Sequence, residues 1–217
     1  MNSVSEYCYK YPHYAIAADT LTFKFESNKL QVLLIKRKND PYKDCWALPG
    51  GFMNVDETTE DTAKRELFEE TNINVDKIYQ LGAYDTVDRD PRERVISIVY
   101  YCFVQNNIKP KAADDAKELR WYNIEKLPTL GFDHNIIIDD CLKKLREDFT
   151  LNPLLGKQLL PKTFTINDLH ALYESIYMKK MNKSILQNKL IKQNIITGKK
   201  MKLADSLTQP PKQFSYN

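Results

Sequence analysis

The chain has 217 residues, of which 42% are hydrophobic and 28% charged, with 32 basic and 29 acidic side chains for a net charge of +3. This length holds one large domain, or a medium and a small one. No run of 18 apolar residues occurs, and the N-terminal MNSVSEYCYKYPHY lacks the charged-then-apolar plan of a signal peptide; both features predict a soluble cytoplasmic protein with no membrane partner.

Cys8, Cys45, Cys102 and Cys141 are far apart and include no C-x-x-C, which argues against a structural zinc or a disulfide framework. His13, His134 and His170 are scattered and read as packing residues. The charge is unevenly spread. From Leu151 to Asn217 there are 11 Lys, no Arg and 3 acidic residues, a net of +8; the first 150 residues carry 21 basic and 26 acidic residues, a net of −5. Such a split suggests two domains with different partners, 1–150 and 151–217.

In chain order, Tyr14 to Phe25 and Leu30 to Arg37 flank a polar SNK turn and read as a β-hairpin. The loop Lys38 to Trp46 leads into LPGG, where paired glycines allow backbone to approach a ligand. The run TTEDTAKRELFEET has no Gly or Pro, offers Thr58 or Thr59 as N-cap, and predicts a helix from Thr59 to Thr71. Lys77 to Val87 and Val95 to Val104 are strand candidates; the second is apolar on both faces and so central. Lys117 to Tyr122 is a further strand. A helix follows from Phe132-Asp133 to Asp148, with Asp133 as its N-cap. Strands interleaved with helices give a mixed α/β sandwich.

Beyond Thr150, Pro153, Gly156 and Pro161 mark a linker. TIND (Thr165 to Asp168) has the form of a capping box opening a helix that ends at Tyr177. A turn, a second helix from Asn182 to Lys192, and a short hairpin in IITGKKMKL come next. Helix, turn, helix and hairpin in a strongly basic segment describe a small winged helix-turn-helix domain.

On the helix at Thr59–Thr71, Glu66, Glu69 and Glu70 stand at i, i+3 and i+4 and share one face. Like charges so placed either point into water or hold a cation, and hard divalent ions prefer such oxygen ligands. Spacing alone leaves both readings open. The wider pattern G-x5-E-x7-R-E-U-x-E-E-x-G-U, with U aliphatic, is matched at Gly51, Glu57, Arg65, Glu66, Leu67, Glu69, Glu70 and Ile73, and resembles the Nudix box. Asn72 stands where that family has Gly, and Asn is the usual substitute for Gly in a left-handed helix cap.

The resemblance implies a Nudix α/β/α sandwich with a mixed sheet. It also implies hydrolysis of a nucleoside-diphosphate-linked compound by a water activated on Mg2+ or Mn2+. Glu66, Glu69, Glu70 and the Gly51 carbonyl would be the ligands, Glu66 or Glu70 the base, and Arg65 and Glu57 a supporting pair. Arg89, Arg92 and Arg94 are phosphate-clamp candidates or parts of a solvated turn. Phe52 and Tyr84 are candidates for stacking on a base or for core packing. The segment R89-D90-P91-R92, with Asp114-Asp115-Ala116 further on, resembles ADP-ribose-type Nudix proteins and Nudix-related transcriptional regulators, and Asp115 is a candidate helper of the metal or base.

Those regulators carry a winged helix after the Nudix domain and are typically homodimers. By that resemblance Lys183, Lys189, Lys192, Lys199, Lys200 and Lys202 would contact phosphates of double-stranded DNA. Two readings remain: a hydrolase acting on a compound such as ADP-ribose, or a DNA-binding regulator whose Nudix domain senses a metabolite.

Overall fold

The computed structural model describes residues 10–111, 116–199 and 212–217. Strands β1 (Ala15–Glu26) and β2 (Lys29–Arg37) form the hairpin. Its turn is Ser27-Asn28, both at positive φ (53° and 59°), the backbone that a tight two-residue hairpin requires. Short β3 (Trp46–Ala47) and β4 (Gly50–Phe52) pair with β2 and β1, helix α1 spans Thr59–Thr71, and β5 (Tyr79–Tyr84), β6 (Val95–Phe103) and β7 (Ala116–Asn123) complete a mixed seven-stranded sheet. Within it the path β3-β2-β1-β6-β5 has β6 in the interior, parallel to β1; β4 pairs β1 and β7 pairs β2. The apolar pattern of β6 is thus explained by neighbours on both edges and helices over both faces.

Residues of β1 alternate between those faces. Ala18 meets Ala63 of α1, and the Thr20 hydroxyl bonds the Ala63 carbonyl at 3.3 Å. Leu21 and Phe23 face the opposite way, into the cluster that contains Ile137, Ile138, Cys141 and Leu145 of α2 (His134–Leu151). Ala63 and Leu67 of α1 are buried against the sheet as their helical positions require.

The segment 151–161 is not a free linker. Pro153–Gln158 forms a 3-10 helix, and Leu155, Leu159 and Leu160 are buried in the same apolar cluster as β1 and α2. The winged helix follows: β8 (Phe164–Thr165), α3 (Ile166–Tyr177), α4 (Lys183–Lys192), β9 (Ile196–Lys199) and β10 (Gln213–Tyr216), with sheet order β8-β10-β9. The expected capping box at Thr165 and Asp168 is formed. The second half of the hairpin expected in IITGKKMKL lies outside the described residues; its first half, β9, pairs with Gln213–Tyr216, from the end of the chain. A strand partner is chosen by tertiary packing, which adjacency in sequence does not dictate.

The same cluster continues through Phe164, Leu169, Leu172, Ile176, Leu186, Leu190 and Phe214. At the C-terminal end of α2, Arg146 Nε donates to the Ile176 carbonyl at 3.0 Å, Phe149 meets the ring of Tyr173, and the hydroxyls of Thr150 and Tyr177 are 2.7 Å apart. Both parts of the chain thus share one core. Among the described residues, no helix is long and apolar enough to cross a membrane.

Candidate functional site

Helix α1 starts with a capping box: Thr58 accepts from the Asp61 N–H, while the Asp61 carboxylate accepts from Thr58 and is held below its ordinary pKa by those bonds. It ends on Asn72 at φ 56°, whose N–H bonds the Phe68 carbonyl at 2.7 Å. Asn serves here in the left-handed role that glycine fills elsewhere.

Arg65 ties this helix to the preceding loop. Its Nη2 meets Glu57 Oε2 at 2.9 Å and the Phe52 carbonyl at 3.0 Å, Nε meets Glu57 Oε1, and Nη1 meets Glu66 Oε1 at 2.6 Å and Glu69 Oε2 at 3.0 Å. Five contacts match the five donors of a guanidinium. The fork raises the pKa of Arg65 and drives that of Glu57 far below the usual carboxylate range. Glu57 also accepts from the Asn54 N–H and the Thr62 hydroxyl. The pair expected eight residues apart is therefore made.

Glu70 is buried, and its Oε2 accepts from the Gly50 N–H at 3.0 Å. Glu66 lies against Gly51, where an added Cβ would fall 2.3 Å from Oε1; burial raises its pKa, opposed by Arg65. At Gly50 the need for glycine is set by main chain, since a Cβ would meet the Ala18 carbonyl oxygen at 2.4 Å; at Gly51 a Cβ would instead displace the Glu66 carboxylate. Glu69 is more than half exposed and turns to Arg65. The donor set is all oxygen, which suits a hard cation. Among the described residues, however, no three carboxylate, His or Cys side chains are gathered at metal-binding spacing. The glycine cradle, the partly buried Glu66 and the buried Glu70 fit a metal; Glu66 and Glu69 both bond Arg65, and Glu69 joins the set only by leaving it.

Beside the two glycines opens a cleft whose lining includes Asp19, Arg37, Phe52, Arg89, Arg92 and His134. The three candidate arginines have separate fates. Arg89 is buried and forms a bidentate pair with Asp133, so it is a fixed part of the wall. Arg92 is bound by Asp90 through Nε and Nη2 and lies over the Phe52 ring at 5.0 Å. Burial pushes the Asp90 carboxyl up, but its bonds from Arg92 outweigh this and hold it low. Arg94 bonds the carbonyls of Asp85 and Thr86, lies over Tyr14, and is not part of the lining. Phe52 is 38% exposed at the cleft. Tyr84 does not line it: the ring packs on the core and the hydroxyl reaches Asp140 of α2 at 3.4 Å, so the stacking role expected for it is withdrawn.

Three groups of the cleft wall, Asp19, His134 and Arg37, have no counterpart in the sequence reading of the site, nor has Asp133, which pairs with Arg89 of that wall. Asp19, buried, accepts from Ser97 and sits 3.7 Å from Arg89 and 3.9 Å from His134 Nε2. His134 Nδ1 accepts from the Leu48 N–H at 2.9 Å, and its pKa is lowered by burial. Asp133 stands at the N-cap of α2, as expected, but gives its carboxylate to Arg89 and makes no side-chain cap hydrogen bond. Arg37 donates to the Pro41 carbonyl and lies over Phe132; burial, with nearby Arg92, lowers its pKa. A charge in the middle of an apolar strand, at Asp19, was the one available signal.

In the winged helix, Lys183 bonds Asn167 at 2.7 Å, while Lys189 and Lys192 are exposed in the last turn of α4. Lys200, Lys202 and Asp115, and the side chain of Lys199, lie outside the described residues.

Comparison with known proteins agrees with both parts. The NUDIX domain model matches residues 14–141, and the model described as NrtR DNA-binding winged helix domain matches residues 156–215. An ADP-ribose pyrophosphatase of Methanocaldococcus jannaschii is 47% identical over 134 residues, 61% of this chain and 76% of that one. The ADPR responsive transcriptional repressor NtrR of Acinetobacter baylyi is 27% identical, covering 86% of this chain and 76% of its own. The crystal structure of a MutT/nudix family protein from Enterococcus faecalis superposes with a TM-score of 0.80 at 27% identity, over 98% of this chain and 90% of the other. With its glycine cradle, its Arg65–Glu57 fork and its carboxylate face on α1, the chain belongs to the Nudix family and carries a C-terminal winged helix.

Proposed function

We propose that the protein is a Mg2+-dependent (or Mn2+-dependent) Nudix hydrolase that cleaves the diphosphate of a nucleoside-diphosphate-linked compound such as ADP-ribose. The observation that carries this reading is the placement of partly buried Glu66 and buried Glu70 against Gly51 and Gly50, at the edge of a cleft walled by Arg37, Arg89 and Arg92. A divalent ion held by Glu66, Glu70, the Gly51 carbonyl and a re-aimed Glu69 would neutralise diphosphate charge and acidify a bound water. Arg37 and Arg92 supply positive charge for the diphosphate, and the exposed ring of Phe52 gives a flat apolar surface for a base. A carboxylate, Glu66 or Glu70, takes the proton as the water oxygen bonds to phosphorus. The bridging P–O bond breaks, leaving two phosphomonoesters. Arg65 and Glu57 position the ligand helix against the loop.

The reading is supported by the M. jannaschii relative's name. The test is a product assay of the full chain with Mg2+ against ADP-ribose and a panel of nucleotide sugars and dinucleotides. Turnover that is abolished in Glu70→Gln, with unchanged thermal stability, is the expected result. Turnover retained in Glu70→Gln removes that residue from the site.

A second reading is favoured by the winged helix itself: the protein binds double-stranded DNA as a homodimeric regulator, with the cleft as its metabolite sensor. Its support is the net charge of +8 from Leu151 onward and the name of the A. baylyi relative. The two readings are compatible. Absence of turnover on every compound, with thermal stabilisation by ADP-ribose intact, selects the regulator alone.

A further inference from the structure

The two helices of the winged domain differ in how they are covered. In α3 only Asn167 is exposed, and Leu169, Leu172, Tyr173, Ser175 and Ile176 are buried. In α4 only Leu186 and Leu190 are buried. At about 100° per residue, the direction opposite those two leucines falls on Asn188, flanked by Ser184, Ile185, Ile191 and Lys192. Exposure agrees: Ile185 is 68% and Ile191 42% exposed, and Ser184, Asn188 and Lys192 are open.

This face has two unusual properties. It presents isoleucines to solvent on a short basic helix, and neither α4 nor any other part of the chain from Leu151 onward contains Arg. Lysine binds phosphate as a point charge and neutralises it whatever the sequence. Reading of guanine is chiefly the work of Arg or Lys aimed at O6 and N7, whereas Asn pairs with adenine N6 and N7, and an apolar side chain meets the thymine methyl. The centre of the face is Asn188, with Ser184 and Lys192 nearest to it, Ile185 and Ile191 a step further round, and Lys189 at the margin.

Resting on the DNA-binding reading above, we propose that α4 enters the major groove and selects A·T pairs. Asn188 contacts adenine in a bidentate manner and Ile185 packs on a neighbouring thymine methyl. Lys189 and Lys192 hold phosphates and carry no sequence information.

The test is selection by the full chain from a random double-stranded DNA library, followed by binding to the selected duplex and to an unrelated one over a salt series. An A·T-centred consensus is expected. Asn188→Ala, a surface change that leaves the fold intact, should weaken the selected duplex about tenfold or more and leave the unrelated one unchanged. Lys189→Gln with Lys192→Gln should weaken both alike and flatten the salt slope. A G·C-centred consensus, or equal weakening of both duplexes by Asn188→Ala, overturns the A·T assignment while DNA binding stands. Retention of no duplex by the wild type overturns both, and a loss of self-association in Ile185→Ser would then identify the face as a contact between copies.

Discussion

The buried Arg89 and the partly buried Asp133 form a bidentate ion pair, with Nε–Oδ2 at 3.0 Å and Nη2–Oδ1 at 2.8 Å, that fastens the loop after β5 to the start of α2. Asp19 lies 3.7 Å from the same guanidinium. Because α2 continues to Arg146 and Phe149, which contact the winged helix, one rigid element spans from the cleft wall to the second domain.

Removing one partner of such a pair leaves a desolvated charge behind. Asp133→Ala is expected to cost about 3–5 kcal/mol of folding stability, measured by urea denaturation. Asn at this position should cost less, since it still accepts a hydrogen bond. A loss below that of an ordinary surface substitution would show that the pair contributes little.

Arg65→Lys keeps the charge and loses the fork. Hydrolysis should fall by roughly 10–100-fold and require more Mg2+ for half-maximal rate, as expected when a group that supports metal ligands is removed. Glu57→Gln should shift the Mg2+ titration in the same direction. An unchanged titration in both variants would leave the fork a purely structural device.

Gly50 and Gly51 should respond differently to alanine. At Gly50 the new Cβ meets main chain, the Ala18 carbonyl oxygen at 2.4 Å and Asp19 Cα at 2.8 Å, so the strand pair must move, costing about 1–3 kcal/mol. At Gly51 the obstacle is the Glu66 side chain, which can rotate aside. Gly51→Ala is thus expected to lose activity with a smaller change in melting temperature. The opposite ranking would contradict the cradle geometry.

His134 gives stability a pH dependence. Burial lowers its pKa from 6.5, against the pull of Asp19 and Asp133 and with the push of Arg89 and Arg37. In the unfolded chain the imidazole takes up a proton near pH 6.5, but in the native state only at lower pH. The unfolded state then binds more protons, so stability is lost as pH falls through that value and below. Stability curves between about pH 7.5 and pH 5.5 should fall less steeply for His134→Gln than for wild type. Parallel curves would remove His134 as the cause.

What the sequence determined by itself was local or patterned. The span of α1, its capping residue, the shared face of Glu66, Glu69 and Glu70, the hairpin at Ser27-Asn28, and the Thr165–Asp168 box follow from helical and strand periods and from cap chemistry within a few residues. The Arg65–Glu57 pair and the Nudix membership were legible because a fixed motif spans 23 residues, Gly51 to Ile73. Tertiary structure alone decided the rest. His134 and Leu48 are 86 residues apart and Arg89 and Asp133 are 44 apart, so no spacing rule joins them; the parallel pairing of β1 with β6 and the seating of α2 do. The same holds for β9, whose partner arrives from the chain end, and for Leu155, Leu159 and Leu160, which read as linker but are drawn into the core because burying apolar surface outweighs the local turn signals.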